Sequence, residues 1–135
     1  MKKLFMLAVV LCSLAACSSD DDKAAPAVDL DNLTQRWYYK SYKLGNETVN
    51  YEGHMPCGKD YIEFQEGNVA RDVDYFDCQQ DPEVSTGTYS ATEENLVINI
   101  DGTETYTLKK LSASTLQIEA TLNGATITYN YTSTP

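Results

Sequence analysis

Apart from its acids, the chain has few side chains of the kinds that perform chemistry. It contains one histidine, His54, four cysteines and twenty Asp and Glu residues. Triad hydrolysis requires a serine or cysteine nucleophile with a partner base, and a single histidine gives no visible base for either. A glycine-rich phosphate loop is also absent from the sequence. The sequence therefore predicts a protein that is not an enzyme, with no catalytic residues and no cofactor.

The acidic residues include one dense group. Asp72, Asp74 and Asp77 lie close together in the sequence, with Asp81 shortly after them. Their carboxylate oxygens are ligands that calcium accepts, but the spacing lacks the turn glycine and the closing glutamate of an EF-hand loop. With so many acids in the chain, such groupings also arise as solvated surface. We therefore predict no metal site.

The N-terminal residues resemble the signal of a bacterial lipoprotein. Lys2 and Lys3 precede an uncharged apolar run over 4–11, and Leu14-Ala15-Ala16 leads to Cys17. This run is too short to span a bilayer, which takes about twenty residues, so residues 1–16 are interpreted as a cleaved signal peptide. The resemblance implies that Cys17 is acylated, with palmitate-type chains that anchor the protein to a membrane. The alternative is an ordinary secretory signal ending near Ala16.

Residues 17–32 are predicted to form a flexible, acylated tether. Small, charged and proline-containing residues follow Cys17 without apolar periodicity, which is typical of an unfolded linker. Ser19 with the acidic triplet 20–22 also resembles the surface-export signal of lipoproteins from Bacteroidetes. The resemblance implies an outer-membrane protein on the cell surface. The alternative is a plain solvated charge run, which leaves the periplasmic face open.

The net charge bears on the choice of partner. Removal of a signal that contains Lys2 and Lys3 leaves eight basic and twenty acidic side chains, a net charge of -12. An acidic protein is repelled by a phosphate backbone. We therefore expect no nucleic-acid partner.

Two cysteines remain after processing. Cys12 leaves with the signal and Cys17 takes the lipid, so Cys57 and Cys78 are available in the mature chain. An exported protein meets an oxidising compartment, which favours a disulfide between them. A metal site is the rival interpretation, but it needs more ligands than His54 adds.

From Leu33 onward the chain alternates between apolar and polar residues in short runs, which is typical of antiparallel strands. Fourteen threonines and ten tyrosines, residues that favour strands, strengthen this prediction. Asp101-Gly102 and Asn123-Gly124 both suit type I′ hairpin turns. The predicted strands cover residues 33–44, 47–51, 61–65, 69–76, 86–91, 95–100, 104–109, 115–122 and 126–131.

The alternation also assigns faces. Tyr38 and Tyr42 are expected on the outer face of the first strand. An all-β, up-and-down antiparallel barrel of about eight strands suits the pattern because closure removes exposed strand edges. A two-sheet sandwich satisfies the same periodicity. The inward residues that we expect to contact any ligand are Trp37, Tyr39, Phe64, Ile98, Tyr106, Ile118 and Tyr129.

The order of motifs resembles a known family. The chain resembles the lipocalin-like domains of Bacteroidetes lipoproteins in the order of five motifs. These are a first strand with Trp37, a cysteine followed by 59–64 (KDYIEF), a second cysteine, Gly87-Thr88-Tyr89 and 111–116 (LSASTL). The resemblance covers residues from Leu33 to Tyr131 and implies a domain over 33–135, a small β-barrel that accepts apolar ligands. Gln35 stands where lipocalin-type openings have glycine.

Two functional hypotheses follow. In the first, the anchored barrel binds a small hydrophobic ligand inside. In the second, side chains fill the barrel, and its surface, including the irregular loop 53–59, binds a protein or a glycan. A continuous cavity above about 300 Å³ would favour the first hypothesis, and a solid core the second.

Overall fold

The computed structural model describes residues 27–135, and in this range the chain forms nine antiparallel strands. The predicted signal peptide, Cys17 and most of the predicted tether lie outside the described residues. No helix among the described residues is long and apolar enough to cross a membrane. The strands are β1 (Arg36–Leu44), β2 (Glu47–Asn50), β3 (Tyr61–Gln65), β4 (Val69–Asp74), β5 (Glu83–Ala91), β6 (Asn95–Asn99), β7 (Thr103–Leu111), β8 (Thr115–Leu122) and β9 (Ala125–Thr132).

The sheet closes on itself into a barrel. Each strand from β3 to β9 pairs with the next, β3 pairs with the first part of β1, and β9 pairs back to β1. Eight strands form the closed ring, and β2 adds a short hairpin to the second part of β1. Closure leaves none of the eight with a free edge. The predicted eight-stranded barrel is confirmed, and the sandwich does not describe this sheet.

Of the two predicted type I′ turns, one is confirmed and one is wrong. Asn123 and Gly124 have φ angles of 50° and 83°, the pair of positive values that this turn requires. At Asp101-Gly102 only the glycine has a positive φ, 149°. Since Asn99 pairs with Thr103, this connection is a three-residue loop that begins at Ile100.

A bulge in β1 reverses one predicted orientation. The register with β9 shifts between Tyr39 and Ser41, so the alternation of faces skips one residue there. Tyr42 consequently pairs with the inward Tyr129 and lies on the inner face, whereas strict alternation placed it outside.

The N-terminal end of β1 is plugged. A short 3-10 helix, Leu30–Asn32, lies against this end, and Leu33 is buried in the core. The indole N–H of Trp37 donates a hydrogen bond to the Leu33 carbonyl oxygen over 3.0 Å. Val28 forms a bridge to Leu111, so the folded part begins before residue 33. The side chains of Val28 and Leu30, within the predicted tether, pack against the barrel core.

The opposite end is braced by two loops joined through a disulfide. Cys57 and Cys78 are bonded, with their Cα atoms 5.5 Å apart. Near the disulfide, the buried Asp60 carboxylate accepts hydrogen bonds from the Tyr51 hydroxyl at 2.6 Å and from the Tyr75 backbone N–H at 2.8 Å. These bonds hold the β2–β3 and β4–β5 connections together.

His54 completes this brace. Its Nδ1 accepts the Asp60 N–H at 3.1 Å, and its Nε2 lies 2.8 Å from the Tyr39 carbonyl oxygen. A backbone N–H can only donate and a carbonyl can only accept, so a neutral imidazole with its proton on Nε2 satisfies both partners. The histidine therefore has a structural role in fixing the loop to β1.

Replacement of Cys57 and Cys78 by serine should lower the free energy of unfolding by about 3 kcal/mol. The physical reason is that the bond closes a loop of 21 residues and restricts the unfolded chain. Urea unfolding followed by tyrosine and tryptophan fluorescence measures the change, and reduction of the wild-type protein should reproduce it. An unchanged unfolding midpoint in both experiments would contradict a stabilising bond.

Candidate functional site

The interior of the barrel is divided along its axis. Toward the plugged end, Trp37, Phe64, Leu96, Leu111 and Leu116 are almost completely buried and fill the space. Toward the other end, the interior is not filled. We call this the open end; it lies beside the three-residue β6–β7 loop.

The open end contains a cavity of about 240 Å³. A second cavity of about 190 Å³ adjoins it and shares Tyr39 and Tyr131 with it. Neither cavity reaches the volume of about 300 Å³ that would favour the ligand-binding hypothesis outright, and the interior is also not the solid core expected of the surface module. The space therefore suits a small molecule. Side chains that line the larger cavity include Tyr39, Asp72, Ile98, Glu104, Tyr106 and Tyr131.

Strand register brings these side chains together. Asp72 of β4 pairs with the inward Ile62 of β3, and Glu104 of β7 pairs with the inward Ile98 of β6. Directly paired residues of neighbouring antiparallel strands lie on the same face of the sheet. Both carboxylates therefore lie on the inner face of the sheet, Asp72 partly buried and Glu104 exposed to solvent at the open end.

Each carboxylate is held by a tyrosine. The Tyr39 hydroxyl donates to Asp72 Oδ1 over 2.9 Å, and the Tyr106 hydroxyl donates to Glu104 Oε2. Burial raises the pKa of Tyr39 and of Tyr106, so both hydroxyls remain protonated donors. Burial also raises the pKa of Asp72, although the hydrogen bond from Tyr39 opposes this shift.

Tyrosine rings form the rest of the wall. The Tyr39 ring stacks on Tyr51 with centroids 5.1 Å apart and contacts Tyr131 at the same distance. Tyr106 and Tyr129 meet edge to face at 6.1 Å. These are the separations at which aromatic pairs attract each other, so the rings form a stable wall.

The basic side chains of the barrel wall lie outside. Arg36 and Arg71 both pair with Glu63 on the outer surface, at 3.0 and 3.3 Å. Lys109 pairs with Glu119 at 3.4 Å. No lysine or arginine among residues 27–135 lines either cavity. The described interior therefore carries acidic groups without basic partners.

The seven predicted ligand residues separate into two groups. Tyr39, Ile98 and Tyr106 line the larger cavity, and Tyr129 lines the second. The other three lie in the packed core away from both cavities; they are Trp37, Phe64 and Ile118.

Sequence reasoning missed Asp72, Glu104 and Tyr131 as cavity residues. A signal for each was present in the alternation. Glu104 is two residues before the inward Tyr106, and Tyr131 is two after the inward Tyr129. For Asp72, the short β3–β4 hairpin pairs Gln65 with Val69 and so places Asp72 opposite Ile62.

The acidic group considered for calcium does not converge. Asp72 faces the interior, whereas Asp77 is exposed in the β4–β5 connection and accepts hydrogen bonds from Gln79 and Gln80. Within residues 27–135, no three His, Cys, Asp or Glu side chains are arranged to hold a metal ion.

Comparison with known proteins agrees with this architecture. The family model of the lipocalin-like domain matches residues 30–118. The chain belongs to the lipocalin-like domain family. No curated protein matches the sequence.

Two solved structures resemble the lipocalin-like barrel. A lipocalin-like protein from Bacteroides uniformis has a TM-score of 0.59 at 14% identity, with 76% of this chain and 98% of that chain covered. An uncharacterized protein from Bacteroides eggerthii has a TM-score of 0.58 at 10% identity, with 75% and 98% covered. At such low identity the similarity concerns the fold alone.

Replacement of Asp72 by asparagine should stabilise the lipocalin-like barrel at neutral pH, by less than about 1 kcal/mol because solvent screens part of the charge. Burial raises the pKa of Asp72 in the folded state, so the ionised form lowers stability above that pKa. The stability difference between Asp72→Asn and wild type should shrink as the pH falls through the pKa of Asp72, because the wild-type carboxyl becomes neutral.

Thermal unfolding from neutral to acidic pH measures this difference. The exposed Asp81→Asn removes the same charge from a loop and serves as the control. A variant that is less stable than wild type at neutral pH, or a difference that grows on acidification, would contradict the burial of the Asp72 charge.

Proposed function

We propose that this protein is a lipid-anchored, non-enzymatic lipoprotein of the outer membrane whose lipocalin-like barrel binds a small ligand. The open-end cavity is the observation that supports the binding function most strongly. Packed side chains fill the other half of the same barrel, so the empty volume is confined to one end. A mostly preformed, concave space with a few polar groups is the usual form of a small-molecule site.

The anchoring part of the proposal is supported by the sequence. Residues 1–16 have the pattern of an export signal, and Cys17 follows it directly. The family match and the Cys57–Cys78 bond are compatible with an exported protein. The acidic residues after Cys17 favour the cell surface over the periplasmic face.

A second candidate function is a surface module for a protein or a glycan. Its supporting observation is a set of exposed apolar side chains in the segments next to the open-end loops: Tyr42, Leu44, Phe76, Val84 and Leu122. An exposed apolar patch often marks an interaction surface. The open-end cavity, although smaller than about 300 Å³, supports ligand binding over this alternative, because the second function predicts a solid core.

Native mass spectrometry of the protein purified from its own cells should detect one small molecule per chain. Ile100→Trp should abolish this signal, because Ile100 lines the cavity and a larger ring fills it. Thr105→Trp, on the outer face of β7, is the matched control and should keep the ligand. Wild-type protein that carries no molecule would contradict the ligand-binding function and favour the surface module.

Replacement of Cys17 by serine should release the protein from the membrane fraction and prevent labelling by an alkyne analogue of palmitate. The reason is that the thiol is the expected acylation point. A substitution at Cys12 should change neither result. Brief protease treatment of intact cells should cleave the wild-type protein if it lies on the surface. Incorporation of the alkyne label into the Cys17→Ser protein would contradict acylation at Cys17.

A further inference from the structure

The charged side chains that line the open-end cavity suggest what kind of ligand it accepts. Asp72 and Glu104 both line it, and every lysine and arginine described in the chain lies elsewhere. We propose that the open-end cavity binds a small organic cation, an amine attached to a body of about one aromatic ring. This proposal rests on the proposed ligand-binding function and specifies its ligand class.

Three hydrogen-bond acceptors converge on the cavity. The Tyr39 hydroxyl donates its hydrogen bond to Oδ1 of Asp72, and the Tyr106 hydroxyl donates to Oε2 of Glu104. The second oxygen of each carboxylate accepts no hydrogen bond from these tyrosines. The third is the Tyr131 hydroxyl. An ammonium group carries only donors and so is complementary to such a set.

Tyr131 presents the third acceptor to the cavity. It is only 7% exposed and lines both cavities. No side-chain hydrogen bond joins its hydroxyl to any other residue of the described chain, yet the hydroxyl is not fully occluded. The hydroxyl therefore keeps contact with solvent, and an N–H group bound in the cavity would replace water as its hydrogen-bond donor.

The aromatic wall favours the same ligand class. The faces and edges of Tyr39, Tyr51, Tyr129 and Tyr131 surround the second cavity next to the carboxylates. A cation within about 6 Å of a tyrosine ring is attracted by its quadrupole. A charged amine near the acids can therefore place its substituents against these rings.

The volume limits the size of the ligand. A cavity of about 150 Å³ is sufficient for benzene, and the larger cavity measures about 240 Å³. The difference allows a short aminoalkyl arm in addition to one ring. Long acyl chains do not fit this space.

Other ligand classes match less well. A fatty acid or another anion would meet two carboxylates and no cation. A neutral apolar ligand would remove water from both carboxylates without replacing its hydrogen bonds. A cation compensates the charge of the partly buried Asp72 and of Glu104, which is exposed to solvent at the open end.

Isothermal titration calorimetry of the full chain in detergent micelles tests the proposal with three probes of similar shape: phenethylamine, phenethyl alcohol and 3-phenylpropionate. We expect phenethylamine to bind at least about tenfold more tightly than the other two, a difference of about 1.4 kcal/mol. The double variant Asp72→Asn with Glu104→Gln should lose this preference, while the exposed pair Asp81→Asn with Glu94→Gln should retain it. Thermal unfolding establishes that each variant is folded.

Tyr131→Phe provides an independent test that keeps the ring. This substitution should weaken the binding of phenethylamine several-fold. It should leave the affinity for the N,N,N-trimethyl analogue unchanged, because the analogue has no N–H to donate. Equal affinity of wild type and the double variant for phenethylamine, or no binding of phenethylamine, would overturn the amine proposal.

The two proposals fail separately. If the alcohol or the carboxylate binds in preference and Ile100→Trp blocks it, the ligand class is wrong and the ligand-binding function stands. If all three probes fail and native mass spectrometry finds no bound molecule, both proposals are wrong.

Discussion

The pairing of β9 with β1 is the interaction on which the rest of the structure depends. It closes eight strands into a ring and fixes the interior at a width that side chains can fill. A barrel of this size has no cavity unless its inward side chains leave one. The presence of empty space at one end is therefore a consequence of particular residues along the strands, since the fold as such does not provide it.

The two halves of the interior serve different purposes. The plugged half contains large apolar residues around Trp37 and provides the hydrophobic burial that stabilises the domain. The open half places Asp72 among tyrosines, where partial loss of water raises its pKa. Such a residue reduces stability, and residues of this kind concentrate where a protein binds or reacts. The disulfide and the buried Asp60 brace this less stable end.

The sequence predicted the barrel well because period-two alternation reports directly which side chains face inward. The strands 61–65 and 115–122 have the expected bounds, and the inward residues Ile98 and Tyr106 reach the cavity. The orientation of Tyr42 was mispredicted because one bulged residue reverses all later faces of a strand. Asp72 was considered only among the possible calcium ligands next to it in sequence, because its interior position comes from pairing with β3.

We propose that the acidic, tyrosine-lined end of the barrel is the ligand site and that its charge selects a cation. The most direct test is a crystal structure of the protein soaked with 4-bromophenethylamine, with the bromine located by its anomalous scattering. We expect a bromine peak inside the open-end cavity and the amine next to Asp72, Glu104 and Tyr131. An empty cavity, or bromine only on the outer surface of the barrel, would contradict it.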